Sequence, residues 1–177
     1  MGIRPAKTFR DADRVAWARF SRRTPRKSFV KSMPHTALNI FEMGNKAGDY
    51  DVLAQFKAVR MIQLRDNSLE SSRQAINKHL EKAIPNAFHF KVLVFPHNVI
   101  RENKMIAGAG ADRLQSGMAH PYGRPTERGA RIKVGQPIFS IRFAAKDVAA
   151  VKEGFRRAKG KLGGDWSIEY TEIKKAA

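Results

Sequence analysis

The sequence of 177 residues contains no cysteine, which excludes disulfides, thiolate metal sites and a cysteine nucleophile. It has no run of eighteen apolar residues, and its first ten residues lack the apolar segment of a signal peptide. These absences predict a protein that has no membrane partner and acts in the cytoplasm. Because 42% of its residues are hydrophobic, the chain can bury a core and is not a disordered polycation.

Acidic residues are also scarce in this sequence. The chain has 34 Lys and Arg but only 16 Asp and Glu, which gives a formal net charge of +18. Such an excess of positive charge is self-repelling, and the usual partner of a protein that carries it is a polyanion that releases counterions on binding. The five histidines lack the spacing of a metal site, and no nucleotide-binding motif is complete. We therefore expect a nucleic-acid partner, no metal and no cofactor.

The positive charge is concentrated near the N-terminus. Residues 1–34 hold ten basic and two acidic residues, a net charge of +8, together with three prolines and four aromatic residues. No helical or strand period extends through this segment. We interpret it as an extended basic arm that binds RNA, and a solvated, flexible tail is the alternative. Its basic residues are Arg4, Lys7, Arg10, Arg14, Arg19, Arg22, Arg23, Arg26, Lys27 and Lys31.

Two stretches have the periodicity of amphipathic helices. In residues 67–83 the apolar side chains share one face, Asn67 and Glu70 have the spacing of a capping box, and Pro85 follows the helix. Residues 146–159 repeat the pattern, with Asp147 expected as the N-cap and Val148 among the inward residues. The expected outer faces carry the candidate RNA-binding residues Arg73, Arg156, Arg157 and Lys159, accompanied by Lys78, Lys82 and Lys152.

Stretches rich in β-branched and aromatic residues indicate strands. Residues 88–95 are expected to form a central strand, and residues 55–62 one strand with a bulge near Ala58. Arg131, a further candidate RNA-binding residue, lies in a strand that a tight turn connects to the next. Because strands and helices do not alternate regularly, we predict an α+β fold, an antiparallel or mixed sheet packed with two helices. The predicted single domain covers residues 35–177, with strands at 38–44, 55–62, 88–95, 130–134, 138–143 and 166–171.

Nearly thirty residues between Ile100 and Gly129 have no clear periodicity. Loops of this length inside a compact domain are commonly functional. Glycines alternate here with isolated cations, and this composition lets the backbone approach phosphates closely. We predict a functional loop over residues 101–125, and a surface insertion without function is the alternative.

Several short motifs resemble one protein family. They are Arg4-Pro5-Ala6-Lys7, Phe95-Pro96-His97-Asn98-Val99-Ile100-Arg101, Asn103-Lys104-Met105, the run from Ala109 to Met118, Gly123-Arg124-Pro125 and Arg156-Arg157-Ala158-Lys159. Together they resemble the large-subunit ribosomal protein known as the tenth e-type protein in archaea and eukaryotes and as the sixteenth large-subunit protein in bacteria. The similarity extends over residues 2–160, and the lack of cysteine together with a short C-terminus is closer to the archaeal members.

The resemblance implies a structural component of the large ribosomal subunit that binds rRNA and neighbouring ribosomal proteins and is not an enzyme. It further implies a position near the A-site tRNA, with the arm running through rRNA and the loop directed toward the peptidyl-transferase centre. The loop residues carried over on this basis are Arg101, Asn103, Lys104, Met105, Gly108, Gly110, Arg113, Gln115 and Arg124.

One segment departs from the family pattern. Where family members often have a basic residue followed by Gly-Ala-Phe, this chain has Ala119-His120-Pro121-Tyr122, while Arg124 keeps the charge of the usual lysine. The alternative function is that of an RNA-modifying or RNA-processing enzyme with a basic arm. Such an enzyme needs an acid-base pair, a nucleophile or a cofactor motif, and the sequence shows none of them.

Overall fold

The structure is a computed structural model that describes residue 30 and residues 32–104, 108–114 and 123–173. The predictions made for residues 1–29, Lys31, Met105 and Gln115 lie outside the described residues.

Eight strands and three α-helices make up the described part of the chain. The strands are β1 (Glu42–Gly44), β2 (Val52–Ala58), β3 (Ile62–Arg65), β4 (Phe88–Val92), β5 (Asn98–Glu102), β6 (Arg124–Ile132), β7 (Pro137–Phe143) and β8 (Trp166–Glu172). The helices are α1 (Asp66–Ala83), α2 (Ala111–Leu114) and α3 (Val148–Lys159), the last preceded by a 3-10 turn over Ala145–Asp147. None of these helices is long and apolar enough to cross a membrane.

The strands form two antiparallel sheets. A five-stranded sheet has the order β1-β4-β7-β2-β8, and a three-stranded sheet has the order β3-β6-β5. Strand β4, expected to be central, is an interior strand between β1 and β7, and β7 occupies the middle of the larger sheet. The predicted α+β class, with two helices of ten or more residues packed with antiparallel sheets, is confirmed.

The prediction of one bulged strand over residues 55–62 is wrong. Strand β2 ends at Ala58 and β3 begins at Ile62, and the two strands belong to different sheets. The shift in apolar phase near Ala58 therefore marks the point where the chain leaves one sheet for the other. The register irregularity within β2 lies earlier, between Phe56 and Lys57. The chain crosses back between β6 and β7 beside this point, where the Gly135 amide donates to the Ala58 carbonyl at 2.8 Å.

Aromatic side chains of the larger sheet pack against helix α3. The Phe56 ring stacks on Phe155 of α3 with centroids 5.1 Å apart, and on Trp166 of β8 at 5.2 Å. Helix α3 also lies close to α1, since a Cβ built on Gly154 would lie 3.8 Å from the Ile76 side chain. The core therefore lies between one face of the five-stranded sheet and the two long helices, and Ile62, Leu64, Ala130 and Ile132 of the three-stranded sheet extend it. The polar side chains of the five-stranded sheet lie on its other face.

Both long helices begin without the side-chain caps that their sequences suggest. Helix α1 starts at Asp66, its N-cap position is Arg65, and Glu70 binds Arg73 instead of closing a capping box with Asn67. Asp147 occupies the N-cap position of α3 as predicted, but its side chain makes no capping hydrogen bond. Val148, expected to face inward, is exposed, because the 3-10 turn places it at the first position of the helix.

Candidate nucleic-acid interface

The predicted loop is shorter than its lack of periodicity suggests. Strands β5 and β6 pair at its base, where Glu102 faces Arg124 and Arg101 faces Pro125. Arg101 and Arg124 thus lie on paired strands, and the connection between the strands covers residues 103–123. A register shift between Ile100 and Arg101 disturbs the alternation of side chains, which is why the sequence pattern predicted only the end of β6, within residues 130–134, and not β5.

Two glycines of this loop adopt backbone conformations that other residues rarely adopt. Gly123 has a φ of +138°, and a Cβ there would lie 3.1 Å from the backbone of Glu102. Because only glycine tolerates both conditions, Gly123 lets the chain close against β5. Gly110 also has a positive φ, and its carbonyl accepts a hydrogen bond from the Arg113 amide at 3.1 Å as the short helix α2 begins.

The residues predicted to act in the loop differ in their exposure to solvent. Lys104, Gly108, Gly110 and Arg113 are exposed, and none of the described residues lies within 4 Å of a Cβ built on either glycine. Asn103 and Arg101 are half-buried, and Arg124 is exposed at the start of β6. Lys104 and Arg113 are therefore the described loop cations whose side chains are open to a partner.

Strand β6 also holds the segment that follows the predicted arm. Arg128 Nε donates to the carbonyl of Pro34 at 2.7 Å, and the Ala37 amide donates to Asp66 Oδ2 at 2.9 Å. Leu38 is fully buried in the core directly after these contacts. Glu127 forms an ion pair with the buried Arg65 beside them. The root of the arm is therefore fixed on the strand that also forms one side of the loop base.

The placement of Arg73 on the outer face of its helix is wrong. Its side chain is 8% exposed, and its guanidinium donates to both carboxylate oxygens of Glu70, at 2.5 and 2.8 Å. A third donor, Nη1, lies 2.9 Å from the Met43 sulfur. This hydrogen bonding lowers the pKa of Glu70 and raises that of Arg73. Arg73 therefore stabilises the contact between α1 and β1 and is not open to a phosphate.

Helix α3 presents the exposed basic face that its sequence predicts. Val151, Phe155 and Ala158 are buried, whereas Arg156, Arg157 and Lys159 are exposed. Glu153 accepts hydrogen bonds from Arg156 at 2.6 and 2.8 Å and from Arg157 at 3.0 Å. These hydrogen bonds lower the pKa of Glu153 to about 2. One acid is thus shared by two arginines, which leaves an excess of positive charge at the end of the helix.

Strand β6 carries the remaining candidate. Arg131 is half-buried and faces Gln63 across the three-stranded sheet. Its assignment as an rRNA-binding residue stays a prediction.

Three further exposed cations lie on the five-stranded sheet or in the turn after β1, and none of them was proposed from the sequence to bind RNA. They are Lys46, Lys91 and Arg142, with Lys91 on β4 and Arg142 on β7. His89, opposite Arg142, is buried, and its pKa is lowered first by burial and then by the charge of Arg142. Alternation along β4 and β7 already separated these residues from the apolar positions, and this was the available signal.

Taken together, the described residues form a basic α+β domain with cations on a loop, a helix face and a sheet face. Charge on several separated surfaces is typical of a protein that RNA contacts from more than one side. A model of the family described as ribosomal protein L16p/L10e matches residues 19–169. The chain belongs to this ribosomal protein family.

The curated relatives agree with the family model. The chain is 37% identical to the large ribosomal subunit protein uL16 of Thermofilum pendens over 92% of its own length and 93% of the relative's. It is 38% identical to the uL16 of Hyperthermus butylicus (86% and 85%) and 39% identical to that of Staphylothermus marinus (84% and 86%). The predicted family and its archaeal affinity are confirmed, and the alternative of an RNA-modifying enzyme gains no support.

Proposed function

We propose that this protein is a structural component of the large ribosomal subunit that binds rRNA and neighbouring ribosomal proteins in the cytoplasm and supports translation. Membership of the L16p/L10e family is the observation that carries this proposal. The basic surfaces of the domain supply its physical basis, because neutralised phosphates release counterions.

The finer part of the proposal places the protein near the A-site tRNA and the peptidyl-transferase centre. The loop over residues 103–123 supports it, since paired strands fix its base while Lys104 and Arg113 are exposed. No described residue lies within 4 Å of a Cβ built on Gly108 or Gly110, and such open glycines allow RNA to approach the loop backbone. On this view the loop serves tRNA positioning and the domain serves anchoring.

The anchoring surfaces in the proposal are the arm and the outer face of α3. The arm cations from Arg4 to Lys31 are assigned to rRNA, as are Arg156, Arg157, Lys159 and the half-buried Arg131. Arg73 is withdrawn from this set because it is buried against Glu70.

Association with the ribosome tests the proposal most directly. The tagged protein is expected to sediment with large subunits from cell extracts and to stay bound after a wash at high salt. A free pool with no subunit-bound fraction would overturn the proposed function.

The contribution of the arm is tested by deletion of residues 1–29, which leaves the contact between Arg128 and Pro34 intact. Binding to protein-free large-subunit rRNA is measured at several salt concentrations. Each neutralised phosphate of single-stranded RNA adds about −0.7 to the salt slope. The deletion is expected to flatten the slope by several units, and an unchanged slope would remove the arm from the rRNA interface.

The loop is tested with the double substitution Lys104→Ala and Arg113→Ala. Subunits carrying it are expected to contain the protein in normal amount and to accommodate A-site tRNA more slowly. Lys78→Ala with Lys82→Ala on the exposed face of α1 is the matched control, which should leave accommodation unchanged. Loss of incorporation in the loop variant alone would mean that the loop anchors the protein.

A further inference from the structure

One side of strand β4 continues as an exposed stripe beyond the end of the strand. Val92 and Val94 are buried, whereas Lys91, Leu93 and Phe95 are 46%, 41% and 39% exposed. The Leu93 amide donates to the Ile138 carbonyl at 2.8 Å, so pairing with β7 continues past Val92. Because successive strand residues point to opposite faces, Lys91 and Leu93 lie on the same side of the sheet, and the exposed Phe95 follows them after the end of β4.

Positive charge surrounds the first part of this stripe. Glu42 pairs with Lys91 at 2.7 Å and with Lys46 at 3.5 Å, so one acid is shared by two lysines. Arg142 lies on the same face one strand away, opposite His89, and is exposed. Three cations to one acid give this corner of the sheet an excess of two positive charges. Burial is the main cause that lowers the pKa of His89, and the charges of Arg142, Lys46 and Lys91 add to it while Glu42 opposes them.

An aromatic cluster ends the stripe. The Phe95 ring is stacked on Phe41 with centroids 5.7 Å apart and an interplanar angle of 25°. His97 lies against the same ring at 4.7 Å. Because Phe41 and His97 hold Phe95 while much of its surface is exposed, the cluster resembles a preformed stacking platform.

The other end of the same sheet face is different. Lys57 on β2 forms an ion pair with Glu169 on the edge strand β8, so one acid is matched here by one lysine. Ser167 faces Lys57 in the register of these strands, and its neighbourhood holds no exposed aromatic stack among the described residues. The sheet face is thus basic and aromatic at β4 and close to neutral at β8.

We propose that the β4 stripe, defined as Lys46, Lys91, Leu93, Phe95 and Arg142, binds a single-stranded segment of rRNA. The three cations contact the phosphate backbone, and an unpaired base stacks on Phe95. The inference rests on the proposed ribosomal function and adds a surface separate from the arm, the loop and α3. Interleaved cations and exposed aromatics are the usual means by which proteins hold single-stranded RNA.

RNA fits this surface better than a protein partner does. Interfaces between proteins are depleted in lysine at their buried centre, and covering Leu93 with an apolar surface would bury Lys91 beside it. A phosphate backbone satisfies the lysines while a base covers the aromatic ring. A protein seated on the stripe is therefore the competing outcome in the experiment that follows.

Cross-linking in the assembled subunit tests the proposal. Because the chain has no cysteine, Ser140→Cys introduces the sole thiol of the protein, on β7 directly opposite Lys91. Ser167→Cys, opposite Lys57, is the matched control. Each protein is incorporated into large subunits, modified with a short photoreactive cross-linker and irradiated. We expect rRNA cross-links from position 140 in at least fivefold excess over position 167. Equal yields, or cross-links from position 140 to protein alone, would overturn the proposal.

Binding to protein-free large-subunit rRNA provides a second test. Lys91→Gln with Arg142→Gln is expected to weaken binding about tenfold at low salt and to reduce the magnitude of the salt slope by about 1.4. Phe95→Leu, which keeps an apolar side chain but removes the stacking face, is expected to weaken binding about fivefold at every salt concentration. Lys57→Gln is the control and should change affinity less than twofold.

The two levels of the proposal fail separately. Wild-type protein that does not sediment with large subunits would overturn the ribosomal function. Normal sedimentation with rRNA affinity unchanged in all the stripe variants would overturn only the assignment of this surface.

Discussion

The two long helices carry the same local ion pair in opposite environments. In α1, Glu70 pairs with Arg73 three residues later, and the arginine side chain is 8% exposed. In α3, Glu153 pairs with Arg156 at the same spacing, and that arginine is 75% exposed. The buried pair contributes to the fold, since its arginine is enclosed with its carboxylate. The exposed pair belongs to a basic surface, where its arginine is open to solvent. Identical spacing in the sequence therefore does not determine whether a cation can bind RNA.

The largest difference between the two pairs is expected in stability. Arg73→Met leaves the Glu70 carboxylate without its partner in a largely buried position and should lower the free energy of unfolding by about 3 kcal/mol. Arg156→Met removes a surface pair and should change it by less than about 0.5 kcal/mol. Urea denaturation followed by circular dichroism measures both values.

A double variant separates the lost pair from other effects of the substitution. Adding Glu70→Met to Arg73→Met removes the unpaired charge and is expected to restore most of the lost stability. Equal effects of Arg73→Met and Arg156→Met would show that the burial of Arg73 has no energetic consequence.

RNA affinity is expected to show the reverse order. Arg156→Gln with Arg157→Gln should weaken binding to large-subunit rRNA about tenfold and make the salt slope less negative by about 1.4. The control is Arg60→Gln, since Arg60 is also exposed and pairs with an acid, Asp165, at 3.1 Å. A filter-binding titration at several salt concentrations measures these changes. Equal losses of affinity per removed charge in the double variant and in Arg60→Gln would mean that only total charge matters.

Removing the acid from each pair tests in a second way whether Arg73 and Arg156 differ in their access to RNA. Glu153→Gln frees Arg156 and Arg157 from a shared carboxylate and is expected to raise rRNA affinity about threefold, with little change in stability. Glu70→Gln should leave rRNA affinity unchanged because Arg73 is buried. A gain of affinity in the Glu70 variant would contradict the assignment of Arg73 to the interior.

The smallest expected effect concerns acid stability. The pKa of Glu153 is lowered from 4.5 to about 2, so below pH 4.5 the unfolded chain takes up a proton that the folded chain does not. The stabilisation by Glu153 is therefore complete above pH 4.5 and is lost as the pH falls from 4.5 to 2. Glu153→Gln should flatten the decline in the urea midpoint over this range, and a decline as steep as in the wild type would argue against the pair.

The parts of the fold that follow from local periodicity could be predicted from the sequence. The residues of α1, β4, β7, α3 and β8 agree with their patterns to within a few positions, because each buries one regular face. The hairpin of β5 and β6 could not be found, since its register shift and the following glycines interrupt the alternation. The end of β2 was missed for another reason, because the shift in apolar phase near Ala58 fits a bulge within one strand as well as a change of sheet.

Only part of the candidate interface could be predicted from the sequence. The exposed cations of α3 follow from its amphipathic pattern, and the family resemblance pointed to the loop. Arg73 was misassigned because its spacing from Leu69, Ile76 and Leu80 already places it on the buried stripe of α1. Met43, on β1, then covers its guanidinium. The β4 stripe was overlooked because its cations are separated along the chain and meet only through the pairing of β1, β4 and β7.

Strand β6 connects two of the proposed RNA contacts, the loop and the root of the arm. It begins at Arg124 where the loop closes, and four residues later Arg128 holds the backbone of Pro34 at the root of the arm. Once the arm is seated on RNA, the loop base is confined to a small volume, so later contacts form at high effective concentration instead of by free diffusion. On the proposed function, the strand would thereby let several weak electrostatic contacts act as one strong attachment.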